Sequence, residues 1–225
     1  MPRFGYNDMK EKYEKLFDYY KDASSELVKP FLFEQMKKEL PDENDEVDVY
    51  LLCQLLEFFS KAVRLVSEDE YLESADYLYE RVVHEAFDTT CGGYYERLKS
   101  EGSVLSDKKL LKTQYMAMVA LGEYACAKKI SKDEEYHYTA VLNRALAQYT
   151  MITHYAIIKG TENLYPVMNK DWSASEADGT SSGLNPDDKE CVAKAFRHLY
   201  AELAFIDPKA TATLNLISET ASKFE

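Results

Sequence analysis

Apolar residues recur at three- and four-residue steps through most of the chain. Tyr71, Leu72, Ala75, Leu78, Tyr79, Val82, Val83, Ala86 and Phe87 form one such stripe, a spacing that gathers them on one face of an α-helix. The same pattern predicts helices near 7–21, 24–39, 46–66, 69–87, 108–129, 133–158, 187–204 and 208–223. Start signals agree with it. Ser67-Glu68-Asp69-Glu70 and Ser131-Lys132-Asp133-Glu134 read as capping boxes, in which the first and last side chains satisfy each other's exposed amides. Asn185-Pro186 and Asp207-Pro208 each set a capping side chain before a proline at the first helical position. No segment alternates as a half-buried strand bounded by hairpin turns. The pattern predicts an all-α fold, one helical domain over 1–225, with short connections that make successive helices antiparallel hairpins.

Two connections are longer, 88–107 and 159–186, and both are rich in Gly, Ser, Asp and Thr, as surface loops are. They belong to units that match. Segments 69–130 and 135–204 each run helix, turn, Tyr-containing loop, Asp-Lys, helix. Ala75 aligns with Ala145, Gly92-Gly93 with Glu162-Asn163, Tyr95 with Tyr165, and Asp107-Lys108 with Asp188-Lys189. A recurrence of this length predicts a helical-hairpin repeat preceded by N-terminal helices over 7–66. Within HEAFDTTCGGYYERL, residues 84–98, a chain of only eight glycines places two side by side. The expected reason is a reversal with positive φ, which glycine adopts cheaply.

Charge narrows the classes of partner. Lys and Arg number 27 against 40 Asp and Glu, a formal net charge of −13. That balance repels nucleic acid and anionic lipid and excludes both as expected partners. No run is apolar for long enough to cross a bilayer, and the N-terminus lacks the apolar core of a signal peptide, so a soluble, cytoplasmic protein is expected. Cys53, Cys91, Cys126 and Cys191 are scattered without a C-x-x-C pair, which predicts reduced and mostly buried thiols rather than a zinc or redox motif. The acidic stretches 42–48 and 171–182 lack calcium-loop spacing, so no metal and no cofactor is expected.

The order Phe87-Asp88, three residues, Gly92-Gly93-Tyr94-Tyr95, a polar hairpin, Asp107-Lys108-Lys109, apolar helix resembles the N-acylglucosamine 2-epimerase family and its (α/α)6-toroid relatives. The resemblance spans roughly 69–204 and implies an incomplete α/α-toroid, since relatives carry six hairpins and this chain has room for about four. It implies that Gly92 and Gly93 turn the chain from an outer to an inner helix. It further implies a carbohydrate-related protein, sugar epimerase- or isomerase-like if active. Where the family carries Gln-x-Arg, with the arginine facing the sugar, this chain has Gln114, Tyr115 and Met116, and the hairpins that hold the family's catalytic histidines lie beyond the match. A catalytically silent sugar binder is therefore one expectation. A non-enzymatic helical scaffold for a protein partner is the other, with a homo-oligomer left open.

Candidate chemistry follows from residue type. Epimerisation beside a carbonyl needs an acid and a base of near-neutral pKa. His154, in MITHYAII, and His198, in AFRHLYAEL, are the candidate catalytic pair. His84 and His137 read as helix-end and solvated residues. A glycosidase would instead need paired carboxylates, for which Glu123, Asp88 and Asp188 are candidates. Tyr94, Tyr95, Gln114, Tyr165 and Trp172 are the expected ligand-binding residues, because aromatic faces in loops stack on sugar rings.

Overall fold

The computed structural model describes residues 46–66, 69–99, 102–158, 161, 163–175 and 186–224. The helices expected at 7–21 and 24–39, Ser67 of the first capping box, Glu162 and Asn185 lie outside them.

The chain runs β1 (Glu46–Asp48), α1 (Val49–Val66), α2 (Asp69–Arg81), β2 (Arg97–Lys99), β3 (Val104–Ser106), β4 (Lys109–Leu110), α3 (Leu111–Ile130), α4 (Glu135–Met151), β5 (Val167–Met168), α5 (Pro186–Ile206) and α6 (Thr211–Ala221). Helices dominate, as the periodicity predicts. The five strands escape alternation because each has only two or three residues, too few to establish a period of two. Expected helix 46–66 accordingly opens with the strand Glu46–Asp48.

Helix α3 is the axis of the packing. It contacts α1 and α5 on its flanks and α4 behind, with α2 packed on α1 and α6 on α5. Every residue from Met116 to Ala127 is buried, and a helix apolar all round belongs inside a domain. Ala117, Ala120, Gly122, Ala125 and Ala127 supply the small side chains that let neighbours approach. One hydrophobic cluster runs from Val47 to Phe224. Among the described residues, no helix is long and apolar enough to cross a membrane.

Both outer helices end alike. α2 passes into a π-turn at Val82–Ala86 and α4 into one at Ile152–Ala156. Each then steps into an extended residue, Phe87 or Ile157, which bridges back to Tyr94 or Leu164. The main-chain bonds recur at the same 70-residue offset as Phe87 and Ile157. Asp88 N to Gly93 O is matched by Ile158 N to Asn163 O, both 2.8 Å, and Tyr95 N to Ala86 O by Tyr165 N to Ala156 O. Strand pairing follows suit: Val47 opposes Leu98 and Asp48 opposes Arg97, as Lys109 opposes Met168 and Leu110 opposes Val167. Two copies of one hairpin unit therefore stand side by side, each inner helix starting from a strand that pairs with the following loop.

Three sequence expectations change. Lys108 precedes β4 while Lys189 lies inside α5, so Asp107-Lys108 and Asp188-Lys189 are not equivalent; the insertion in the second loop shifted the apparent match. Ser131 caps the end of α3 instead of the start of α4, and Asp133 binds Lys128 at 2.8 Å and His137 at 3.0 Å. Asp207-Pro208 forms a turn, and α6 starts only at Thr211. Of the four free thiols, Cys53 and Cys126 are buried, Cys91 is half-buried and Cys191 is exposed.

The glycine pair turns as expected, with φ of +71° at Gly92 and +76° at Gly93. Its surroundings separate the two. A Cβ on Gly92 would strike the flexible end of Met151, which can swing aside. A Cβ on Gly93 would overlap the Trp172 ring and lie 2.9 Å from Gln114 Oε1, both fixed. Left-handed backbone alone costs a non-glycine residue roughly 1–2 kcal/mol. Gly93→Ala is expected to lose distinctly more stability than Gly92→Ala in urea denaturation and to shift the fluorescence of Trp172; equal losses would refute the difference in rigidity.

Candidate functional site

The two loops meet at a buried ion pair. Lys109 and Asp88 are both fully buried, with Lys109 Nζ donating to Asp88 Oδ2 at 2.9 Å. The other carboxylate oxygen accepts from the Thr90 and Cys91 amides at 2.9 and 3.2 Å. Burial is the largest single influence on Asp88 and opposes its charge, yet Lys109 and the two amides together hold its carboxyl below the ordinary range. Above the ammonium lie the rings of Tyr95, at 5.5 Å, and Trp172, at 5.7 Å, positions that favour a cation over a π face. Burial, then the charge of Asp88 and a hydrogen bond to it, push the Tyr95 hydroxyl up to about 12.

Trp172 closes this cap. Its φ of +67° is unusual for a bulky residue. It stands where the first unit has Gly102: the Trp172 N to Asn169 O bond repeats Gly102 N to Lys99 O, both 2.9 Å. The indole Nε1 donates to Cys91 O at 3.1 Å and Gly92 O at 3.3 Å, with the ring seated on Gly93. Tyr155 lies against its outer side, ring centres 5.6 Å apart.

A second group of polar side chains lines the inner helices. On α1, Tyr50, Gln54, Glu57, Lys61 and Arg64 follow one another at steps of four and three, one polar stripe on an otherwise apolar helix. At its upper end Lys112 Nζ sits 5.0 Å over the Tyr50 ring. Burial first, then the neighbouring Cys191 of α5 and Glu57, raise the Tyr50 hydroxyl to about 12. One turn below, Gln54 Oε1 is buried without a hydrogen bond among the described residues. Cys191, His198 and Glu202 form the facing stripe of α5. The influence of Cys191 on Tyr50 and of Glu202 on Lys61 and Arg64 shows that α5 runs in the same direction as α1.

The expected site residues divide between these places. Gln114 is fully buried: Oε1 accepts from Tyr94 N at 2.9 Å and Gln148 Nε2 at 3.0 Å, and Nε2 donates to Tyr94 O at 2.7 Å. Its amide clamps the turn after Gly93. Tyr94 and Trp172 are likewise buried, and Tyr95 and Tyr165 half-buried. The structure thus gathers Tyr94, Tyr95, Gln114 and Trp172 around Gly93, with the Gln114 amide on the Tyr94 main chain, the indole on main-chain carbonyls and the Tyr95 hydroxyl on Asp88. His154 is exposed in the π-turn after α4, edge-on to Tyr155, whereas His198 is exposed on the inner stripe of α5; they stand on different walls. Glu123 is buried in an ion pair with Arg64. Among the described residues no group of three His, Cys, Asp or Glu is placed to hold a metal ion. Tyr155, Tyr50, Lys112 and Glu202 were not singled out from sequence, and Lys109 only as part of the turn motif. Gly122, in the middle of an apolar helix, was the available signal for Glu202, because such a glycine marks a close approach.

Known structures carry the same arrangement of hairpins. The chain superposes on a cellobiose 2-epimerase from Bacillus thermoamylovorans B4167 with a TM-score of 0.65 and 19% identity, covering 79% of this chain and 44% of that one. For a cellobiose 2-epimerase from Spirochaeta thermophila DSM 6192 the values are 0.65, 21%, 80% and 43%. A D-mannose isomerase gives 0.60 and 10%, covering 89% and 53%. The fold is that of the α/α toroids. The chain spans about half the length of these structures. No protein-family model matches the sequence, and no curated protein matches it.

Within this toroid fold the Asp88–Lys109 pair joins the exit of outer helix α2 to the entry of inner helix α3. Removing one partner of a buried pair strands the other charge, at a cost of about 3–5 kcal/mol. Lys109→Met is expected to lose stability of that order in urea denaturation. Because the folded Asp88 carboxyl is held low, its contribution is present above the unfolded carboxylate pKa and fades as pH falls through the folded value. The variant should therefore show a weaker loss of stability on acidification than the parent; an unchanged acid limb would refute the pairing.

Proposed function

We propose that this chain binds a sugar-like ligand on the inner face of its toroid unit, at the mouth formed by the first turns of α1, α3 and α5, and does not epimerise it. The observation that carries the reading is the meeting there of the half-buried Tyr50 ring and the exposed Lys112 ammonium, one turn from a Gln54 acceptor that is unmatched among the described residues. An aromatic face with a few converging polar groups is what a sugar-sized ligand needs. Likeness to cellobiose 2-epimerases and a mannose isomerase supports a carbohydrate as the ligand class. Silence is supported by Gln114, which faces the turn, and by the absence of an arginine at Met116. His198, on the same inner stripe, is the residue we assign to ligand contact; His154 lies on the outer rim.

A second reading, a scaffold for a protein partner, draws on Tyr200, Phe205 and Leu216, exposed on α5 and α6. One titration separates the two. Calorimetry with cellobiose and mannose is expected to give saturable heat that Tyr50→Ala and Lys112→Ala each weaken by roughly tenfold, about 1.4 kcal/mol, with no 2-epimer detected by chromatography. Heat with no sugar would favour the scaffold, and formation of the 2-epimer would overturn silence.

A further inference from the structure

Glu202 lies near the C-terminal end of α5, 3% exposed, and neither carboxyl oxygen has a hydrogen-bond partner among the described residues. Both helices packed on it bring charged or titratable groups. α1 presents Glu57, Lys61 and Arg64, and α3 presents Glu123 and Cys126. These are already matched: Lys61 binds Glu57, and Arg64 binds Glu123. Two cations serve two carboxylates, and Glu202 is a third acid with no ion-pair partner of its own among the described residues. Its remaining side is closed by Gly122, where even a methyl group would overlap Oε2 and lie 2.6 Å from the carboxyl carbon. The carboxyl group therefore rests on the α3 main chain. The short turn that follows α6, Ser222–Phe224, also packs on α5, through Phe224 against Phe196.

An ionised carboxylate so placed would have no hydrogen-bond donor among the described residues and two carboxylates beside it. Desolvation of a charge in an interior costs several kcal/mol, and like charges add to that cost. Such a group lowers its energy by keeping its proton. We propose that Glu202 is a proton-binding site, an uncharged carboxylic acid in the folded chain whose deprotonation loosens α5 from the wall formed by α1 and α3. Burial is the main cause, reinforced by Glu123 and Glu57 and opposed by Lys61 and Arg64, and the net effect lies well above the ordinary carboxylate range. The inference stands apart from sugar binding, since it concerns the closed end of the inner stripes.

The sign of the pH dependence follows. Between the unfolded carboxylate pKa, about 4.3, and the raised folded value, the native state holds a proton that the unfolded chain has released. Stability from this group therefore falls as pH rises across that window, by up to about tenfold in the folding equilibrium constant per pH unit. Glutamine keeps the shape of the neutral acid and has no proton to lose.

The test compares the full chain with Glu202→Gln from about pH 5 to about pH 9. The variant is expected to melt higher than the parent, with a gap that widens as pH rises. Infrared spectra at neutral pH should show the carbonyl stretch of a protonated carboxyl in the parent and its loss in the variant. A gap that stays constant or narrows, a parent without that band at neutral pH, or a variant that fails to fold because Lys61 and Arg64 need the charge would each overturn the proposal.

Discussion

The contact on which the rest depends is the seat of Trp172 on Gly93. A tryptophan in left-handed backbone pays roughly 1–2 kcal/mol for its conformation. Burying an aromatic of this size, 150–250 Å², is worth about 4–6 kcal/mol at 25 cal/mol per Å², an upper figure because unfolded chains are already partly collapsed. Burial wins, and the indole bonds to Cys91 O and Gly92 O fix the ring's orientation. The seat requires that Gly93 carry no side chain, and the ring in turn covers Lys109. One residue of the second loop thus fastens the first loop, roofs the buried ion pair and, with the β4–β5 pairing, locks the two hairpin units together.

The same economy of contacts ties up much of the aromatic rim. Gln114, Tyr94, Tyr95 and Trp172 are joined to each other, to Asp88 and to main chain. Their role is to set the entry of α3. The inner stripes differ. There the polar side chains pass from the partly open end at Tyr50, Lys112 and Cys191 to the closed end at Glu123 and Glu202. One wall can serve two purposes along its length, recognition at the mouth and packing below.

Much of the fold was legible. The three- and four-residue spacing located the helices because a long amphipathic stripe has few other interpretations, and the loop match at Tyr95 and Tyr165 anticipated bonds that recur from Ala86 to Ala156. The capping patterns misled at Ser131 and Asp207, since the same residue types that start a helix also end one or form a turn. The candidate site was less legible. Lys109 ends a polar Asp-Lys-Lys run at the predicted start of a helix, and nothing local marks the second lysine as the one that reaches Asp88.

By itself the sequence determined the all-helical class, the hairpin repeat and the glycine turn, because periodicity and positive φ are local properties of the chain. Only the tertiary structure decided what those elements do to one another. It matched Lys109 to Asp88, set Trp172 in the place of Gly102, joined Gln114 to the turn after Gly93, and left Glu202 without a hydrogen-bond partner among the described residues. These depend on which helices become neighbours, and a charge or an amide is satisfied or stranded according to what arrives across the interface, often from residues scores of positions away.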